Sequence, residues 1–300
     1  MRSFTVAEQK IKKIVDESVP LTFVRVLINP YLRTTALRCI ASIFRNFFFL
    51  QHRAAFLPGL IPVSKVDHPL DKKIPFNPGK VSIYLDFVAF WIRCISFLRR
   101  AFGREALEPL KSFLESMGNL YETAAEVYRK NLSTTERPFY IKHPRFLAIH
   151  ILDPHLMCIP SLHVMVVIRT YTFFSETIKA FGEENKFKAQ VEELFLGAKA
   201  ITEAVLYVKQ HSVNCIPAAL YAMTRFDSGL FPPDEAGRFV SCLFDDSGDP
   251  GAELSNPTGE VSGAAAVEIR NHINSLYHRF LAQGGDDWTA PLLDFLKERY

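Results

Sequence analysis

Apolar residues recur at helical spacing along most of this 300-residue chain, and this pattern constrains the fold more than any other feature. In Pro109–Asn131, for example, the apolar residues at positions 110, 113, 114, 117, 120 and 121 would share one face of a helix. The same spacing predicts helices in Ala7–Val19, Asn29–Phe56, Val81–Arg100, Leu162–Phe181, Phe187–Thr224, Ala264–Leu281 and Trp288–Arg299. No segment alternates with the period of a strand, so the sequence predicts an all-α fold.

Two segments rich in loop-forming residues divide the chain. Five prolines lie between Pro58 and Lys80, and Phe226–Gly263 is rich in Gly, Pro, Asp and Ser. We expect an N-terminal helical extension at residues 1–60, a helical core at 61–225, and an irregular connection followed by helices that pack on the core at 226–300. The acidic residues at 245, 246, 249 and 253 do not follow the EF-hand spacing, so a solvated loop is a simpler interpretation than a calcium site.

No segment offers the roughly 20 uninterrupted apolar residues of a spanning helix, and no secretory signal opens the chain. We therefore expect a cytoplasmic protein. Peripheral contact of this protein with a membrane is compatible with that expectation. Leu37–Leu50, LRCIASIFRNFFFL, sets two arginines on a Phe-rich helix. It fits either a membrane interface or a core helix whose arginines reach solvent. A bundle of membrane-spanning helices that are interrupted by polar residues is a third alternative for the chain.

Charge is distributed unevenly. Residues 1–150 carry 23 Lys and Arg against 12 Asp and Glu, a net charge of +11, whereas residues 151–300 carry 12 against 20, a net charge of −8. Either the first half binds an anionic partner such as phosphate or an acidic membrane, or the two halves neutralise each other across an interface. No nucleic-acid-binding module is recognisable, so we expect no nucleic-acid partner.

The cysteines indicate neither a disulfide framework nor a metal site. They number five and show no C-x-x-C pair or Cys/His spacing typical of zinc. We therefore expect no metal, and free thiols that behave as small buried apolar residues.

Three short segments combine residues that suit phosphate chemistry, and the first is KNLSTTERP. It places Lys130 and Arg137 seven positions apart, at the end of a helix and in the following loop. Arginine offers a planar fork and lysine a point charge, so the two could converge on one phosphate. A solvated pair of loop cations is the simpler alternative.

The other two segments contribute histidines. In IPSLHVMV, Ser161 precedes an apolar run as a candidate helix cap, and His163 in the first turn could donate a proton to a leaving oxygen. In LYVKQHSVNCIPA, Lys209 and His211 interrupt an apolar helix, where burial is costly unless both have partners. Packed histidines with no chemical role are the alternative.

In this order the segments resemble the type 2 phosphatidic acid phosphatase superfamily, which includes lipid phosphate phosphatases, bacterial acid phosphatases and vanadium haloperoxidases. Its signature is K-x6-R-P, then P-S-G-H, then S-R-x5-H-x3-D. Lys130–Pro138 matches the first motif, and Pro160–His163 matches the second with Leu162 in place of glycine. P-S-L-H followed by Lys209–His211 is similar to the branch with inositolphosphotransferase-type members. The resemblance covers roughly residues 67–224.

The resemblance implies a helical bundle of the phosphatase/haloperoxidase type, with extra helices at both ends. It also implies an enzyme that hydrolyses or transfers a phosphate monoester, either a small molecule or a phospholipid-derived one, without a metal or other cofactor. Carried over by motif, His211 attacks phosphorus and His163 protonates the leaving group. The residues that bind the phosphate, or vanadate in its place, would be Lys130, Arg137, Ser161 and Lys209.

One departure bears on activity. The family aspartate, four residues after the nucleophilic histidine, is Cys215 in this chain. Loss of an orienting carboxylate costs about 10⁴-fold in kcat in a Ser-His-Asp triad. His150, Asp153 or His155 could replace it. The alternatives are a protein that holds a phosphate or phospholipid head group without turnover, and a helical interaction protein whose motifs are accidental.

Overall fold

The computed structural model describes residues 12–245 and 260–299, and the chain in these ranges is predominantly helical, as predicted. The N-terminal part contains α1 (Val19–Ile28), α2 (Arg33–Ile43), a π-helical turn (Phe44–Phe49) and α3 (Leu50–Phe56). The predicted helix at 7–19 is wrong over residues 12–18, which are irregular, and residues 7–11 lie outside the described ranges. The helix begins at Val19 instead, with Pro20 in its first turn, where proline needs no N–H partner.

The core consists of long helices around a buried central one. These are α4 (Val81–Phe102), α5 (Leu107–Tyr128), α7 (Leu162–Ala180), α8 (Lys188–Tyr207) and α9 (Cys215–Phe226). Helix α7 packs against all four of the others, and most of its residues are buried on every side. The predicted helices at 81–100, 109–131 and 162–181 are confirmed to within a few residues, because their apolar stripes are long enough to fix the period.

Two three-residue strands cross the core, although the sequence indicated none. β1 (Val63–Lys65) pairs in parallel with β2 (Leu132–Thr134), and Ser133 also bridges to Met157. Strands this short show no recognisable alternation. Between β2 and α7, the chain forms α6 (Pro144–Leu152), which the sequence analysis missed.

The C-terminal part contains α10 (Pro233–Ser241), α11 (Gly263–Gln283) and α12 (Ala290–Lys297). Helix α11 packs on α9 and α10, and α12 contacts β1. The predicted irregular connection at 226–263 is therefore wrong where α10 lies. That helix starts at a Pro-Pro pair with acidic residues in its first turn, and it buries Ala236, Phe239 and Val240. Of the acidic residues considered for calcium, those at 246, 249 and 253 lie outside the described ranges.

No single helix within the described ranges is long and apolar enough to cross a bilayer. Pro78–Leu85 and Phe87–Tyr128 reach the required length and composition only as a pair, with a bend of 41° between them.

Candidate functional site

Three side chains from two distant parts of the chain meet at one nitrogen atom. His211 Nε2 lies 3.3 Å from Ser161 Oγ and 3.3 Å from His163 Nδ1. Ser161 and His163 come from the start of α7, and His211 from the turn between α8 and α9. All three are buried, with exposed fractions of 0%, 8% and 7% in chain order. The structure thus places both candidate catalytic histidines and the candidate phosphate-binding serine in direct contact.

His211 does not lie within a helix, contrary to the sequence expectation. Helix α8 ends at Tyr207, and Lys209 adopts a left-handed conformation with φ of 56°. The carboxylate of Asp71 accepts the N–H of Val213 at 2.8 Å, which holds this turn against the 3₁₀ turn Pro69–Lys73. The reversal directs the ring of His211 toward the start of α7.

Ser161 occupies the N-cap position of α7, but its side chain makes no capping hydrogen bond. The cap predicted from the sequence is wrong in this respect, because Oγ pairs with His211 instead. The preceding backbone is fixed by other contacts. The hydroxyl of Tyr128 donates to the carbonyl of Pro160, and Ser133 Oγ accepts the N–H of Ile159 at 2.7 Å.

His163 packs between two aromatic rings of α4. Its ring centroid lies 4.5 Å from that of Tyr84, in a stacked arrangement, and 4.1 Å from that of Phe87. Burial lowers the pKa of His163 well below its usual range, and the neighbouring His211 lowers it further. His163 is therefore neutral at pH 7 in this state, because an imidazolium would be poorly solvated.

Arg137 reaches the edge of this group. Its guanidinium donates to Gln210 Oε1 and to the carbonyl of Asp153, each at 3.1 Å, and lies 4.0 Å from the carboxylate of Asp153. Gln210 directly precedes His211, so Arg137 is hydrogen-bonded to the residue next to the candidate nucleophile.

The two candidate lysines are held in other surroundings. Lys130 Nζ donates to Thr289 Oγ1 at 3.0 Å and lies 3.8 Å from the carboxylate of Asp287. Lys209 Nζ donates to the backbone carbonyls of Asp71 and Ile74. The structure therefore does not place either ammonium group with His163 and His211.

Behind the two histidines lies a buried Cys–His group that the sequence analysis did not single out. Cys158 Sγ is 3.9 Å from His155 Nε2, which also contacts Thr135 Oγ1 at 2.9 Å. Burial raises the pKa of Cys158, but contacts with Cys215, His155 and His211 outweigh this and leave the pKa well below its usual range. Burial conversely lowers the pKa of His155, yet interaction with Cys158 raises it overall. Cys158 Sγ also lies 4.0 Å from the carbonyl oxygen of Gln210. The spacing H-x-x-C-x-x-S was the only sequence signal of this group.

The structure also places the candidate substitutes for the family aspartate. Nδ1 of His211 is buried and has no hydrogen-bond partner among the described residues. Asp153 pairs with Arg137, His150 accepts the N–H of Tyr140 at 3.4 Å, and His155 pairs with Cys158. Among the described residues, no carboxylate therefore orients His211. Interaction with His211 is one of the contacts that lower the pKa of Cys158.

Chemically, this arrangement joins a nucleophile, a proton-transfer group and a hydroxyl at one buried point. An imidazole with a free Nε2 lone pair can attack phosphorus, and a second imidazole can carry the proton for a leaving oxygen. In the state described, the hydrogen bond between the two rings occupies the position that a phosphoryl group would need. Among the described residues no group of three His, Cys, Asp or Glu side chains could hold a metal ion.

Comparisons of the chain with protein-family models, with curated proteins and with solved structures found no match.

Proposed function

We propose that this protein is a phosphatase-like enzyme that hydrolyses or transfers a phosphate monoester through a phosphohistidine on His211. The observation that carries the proposal is the convergence of Ser161, His163 and His211 on one nitrogen atom. Ser161 and His163 precede His211 by 50 and 48 positions in the chain. The contact between His163 and His211 pairs the two residues that the motif resemblance implies as acid and nucleophile. We propose with it that α4–α9 form a bundle of the phosphatase/haloperoxidase type.

In the first step, Nε2 of His211 attacks phosphorus and the bond from phosphorus to the leaving oxygen breaks. Protonated His163 gives its proton to that oxygen. In the second step, water or an acceptor alcohol attacks phosphorus, His163 takes a proton from that attacking group, and the phosphorus–nitrogen bond breaks to release His211. Nδ1 of His211, which is buried and has no hydrogen-bond partner among the described residues, keeps its proton throughout.

Substrate binding has to separate the two imidazole rings. A phosphate placed between them replaces the hydrogen bond between His211 and His163 and brings negative charge against His163. That charge raises the pKa of His163, so a ring that is neutral in the empty site gains the proton it must donate. Arg137 is positioned to neutralise a phosphate oxygen once it turns from Gln210.

A second candidate function is a site that binds phosphate or a phospholipid head group without turnover. Two observations favour it: Cys215 stands in place of the orienting carboxylate, and Lys130 and Lys209 are engaged elsewhere. Such a protein would keep affinity for phosphate while lacking the electrostatic stabilisation that turnover requires.

The test is hydrolysis of p-nitrophenyl phosphate and of a short-chain phosphatidic acid by the full chain, with and without vanadate. We expect His211→Ala to abolish vanadate-sensitive release and His163→Ala to lower kcat about 10²–10⁴-fold. His278→Ala, at an exposed histidine of α11, is the matched control and should be fully active. Labelled substrate with an alkaline quench should trap phosphohistidine in the wild type and not in His211→Ala.

Two other results have clear meanings. No release, combined with a vanadate-induced rise in Tm that His211→Ala loses, would establish the binding function. No release and no effect of vanadate on Tm would overturn both functions.

A further inference from the structure

The N-terminal helices lie in a stretch of chain with one sign of charge. Between Glu17 and Asp67 there is no aspartate or glutamate, whereas the same stretch contains five arginines and one lysine. An exposed protein surface ordinarily mixes both signs. This segment precedes the part of the chain that carries the phosphatase-like motifs, so its composition needs an explanation of its own.

Helix α1 presents an apolar stripe to the outside. Leu21, Val24 and Ile28, at i, i+3 and i+7, are 46%, 52% and 68% exposed. The opposite side of α1, with Thr22 and Val26, is buried where α1 packs against α2 and α4. The stripe is therefore a second apolar side, which folding of the described chain leaves uncovered.

The next helical segment repeats this arrangement with aromatic rings. Leu37, Phe44 and Phe48 follow one another at helical spacing, and all are exposed, Phe44 by 60%. The rings of Phe44 and Phe48 lie 5.3 Å apart, side by side on the surface. The side of α2 with Ala36 and Cys39 is buried, and α2 packs on α5.

Arginines accompany these apolar residues. Arg25, Arg33, Arg38 and Arg53 are exposed, and no carboxylate of the described residues lies within 4 Å of them. Arg45 differs, because it pairs with Glu122 at 2.5 Å. Four arginines thus make no ion pair among the described residues, although Arg38 shares a surface pocket with Glu115 and Glu122 of α5.

A cavity borders the same surface. It has a volume of about 470 Å³ between α1 and α4, and its lining includes Arg25, Ile28 and Arg99. Arg25 and Ile28 also belong to the exposed side of α1, so the cavity adjoins that surface. Glu17 also lines it and pairs with Arg100, which leaves Arg25 and Arg99 as the guanidinium groups that an anionic head group could contact there.

We propose that the exposed side of α1, α2, the π-helical turn and α3, called here the N-terminal face, binds the surface of an anionic phospholipid bilayer. Its leucines and phenylalanines enter the boundary between head groups and acyl chains, and its arginines contact lipid phosphates. The segment itself contributes only positive charge, and Glu108, Glu115 and Glu122 of α5 lie at its edge, so the excess of arginines favours an anionic lipid surface. The proposal is independent of the phosphatase function.

The experiment is co-sedimentation of the full chain with two kinds of vesicles, phosphatidylcholine alone and phosphatidylcholine mixed with phosphatidylserine. We expect binding to the mixed vesicles only, with release at high salt. Arg38→Gln/Arg53→Gln should weaken binding by roughly fivefold for each arginine removed. Phe44→Ser/Phe48→Ser should also reduce binding, without lowering Tm, because both rings are exposed.

Matched controls alter the same residue types elsewhere. Lys72→Gln/Lys142→Gln removes two exposed cations, and Leu196→Ser/Val267→Ser removes two exposed apolar side chains. Both controls should bind the mixed vesicles as the wild type does. The proposal is overturned if the wild type does not bind, if the controls lose as much binding, or if Phe44→Ser/Phe48→Ser instead abolishes a concentration-dependent dimer.

Discussion

At the scale of single residues, the presence of a lysine or arginine in a motif does not by itself determine what its side chain binds. Arg137 lies in a network with Gln210, next to His211, whereas Lys130 is bound to the C-terminal part of the chain. Both belong to the same short motif in the sequence. They separate because β2 lies between them and fixes the direction of the chain after α5.

This separation gives a prediction about anion affinity. Arg137→Gln removes a guanidinium that can make charge-assisted hydrogen bonds, so it should weaken vanadate binding roughly ten- to hundredfold. Lys130→Gln, the matched variant of the same motif, should leave vanadate affinity nearly unchanged. The measurement is the vanadate concentration that half-saturates the rise in Tm. Equal losses in both variants would show that Lys130 reaches the phosphate after all.

At the scale of elements, the turn after α8 positions His211 in the site, and Lys209 stabilises this turn. The ammonium of Lys209 bonds the carbonyls of Asp71 and Ile74, and burial lowers its pKa. Helical periodicity runs through this region of the sequence, so the break at Tyr207 was not predictable from the apolar pattern. The contacts that reverse the chain come from residues more than 130 positions away.

The structural role of Lys209 is testable. Lys209→Met keeps the length of the side chain but leaves two carbonyls without their donor, so it should lower the free energy of unfolding by about 1–3 kcal/mol. Urea denaturation measures this. Lys72→Met, at an exposed lysine of the adjacent 3₁₀ turn, is the control and should be close to neutral. If Lys209→Met retains full stability but loses vanadate binding, Lys209 is a phosphate ligand.

Close packing of α4 and α8 gives a second prediction for elements. A Cβ atom at Gly197 would lie 2.7 Å from the ring of buried Phe90. Gly197→Ala should therefore destabilise the protein, by roughly 1–3 kcal/mol for an overpacked core. Gly237→Ala, in α10, meets nothing within 4 Å and should stabilise by up to about 1 kcal/mol through helix propensity. Thermal unfolding of the two variants checks the difference in sign.

At the scale of the whole molecule, buried histidines link stability to pH. Burial lowers the pKa of His68, His150 and His163 and, to about 4, that of His272, which stacks on His68. The unfolded chain takes up these protons near pH 6.5, but the folded chain does not. His155, whose pKa is raised, contributes in the opposite direction.

We therefore expect Tm to fall as pH decreases from about 6.5 toward 4, because four groups outweigh one. His272→Gln removes one of the four and should reduce this acid-dependent loss, while Gln can still donate to Asn214. His278→Gln, at an exposed position of the same helix, is the control. A Tm that is constant or rises over this pH range would contradict the expectation.

The sequence by itself determined the helical class of the protein and the positions of its long core helices. It could do so because an apolar stripe of 20 residues specifies one period whatever it packs against. It also predicted that the cysteines are free thiols, and four of the five, all except Cys242, are buried, as their apolar neighbours indicate. The same reasoning missed α6 and α10, whose stripes are only nine residues long.

Tertiary structure alone decided what surrounds His211. Ser161 pairs with that ring instead of capping its helix, and both candidate lysines turn to other partners. Nδ1 of His211 meets neither the one carboxylate nor the two imidazoles that the sequence offered as its partner. Each outcome depends on where a side chain points after distant segments pack together. The local sequence pattern carries no information about that direction. The position of a residue along the chain determines which face of its helix it occupies, but not which side chains of distant segments contact it.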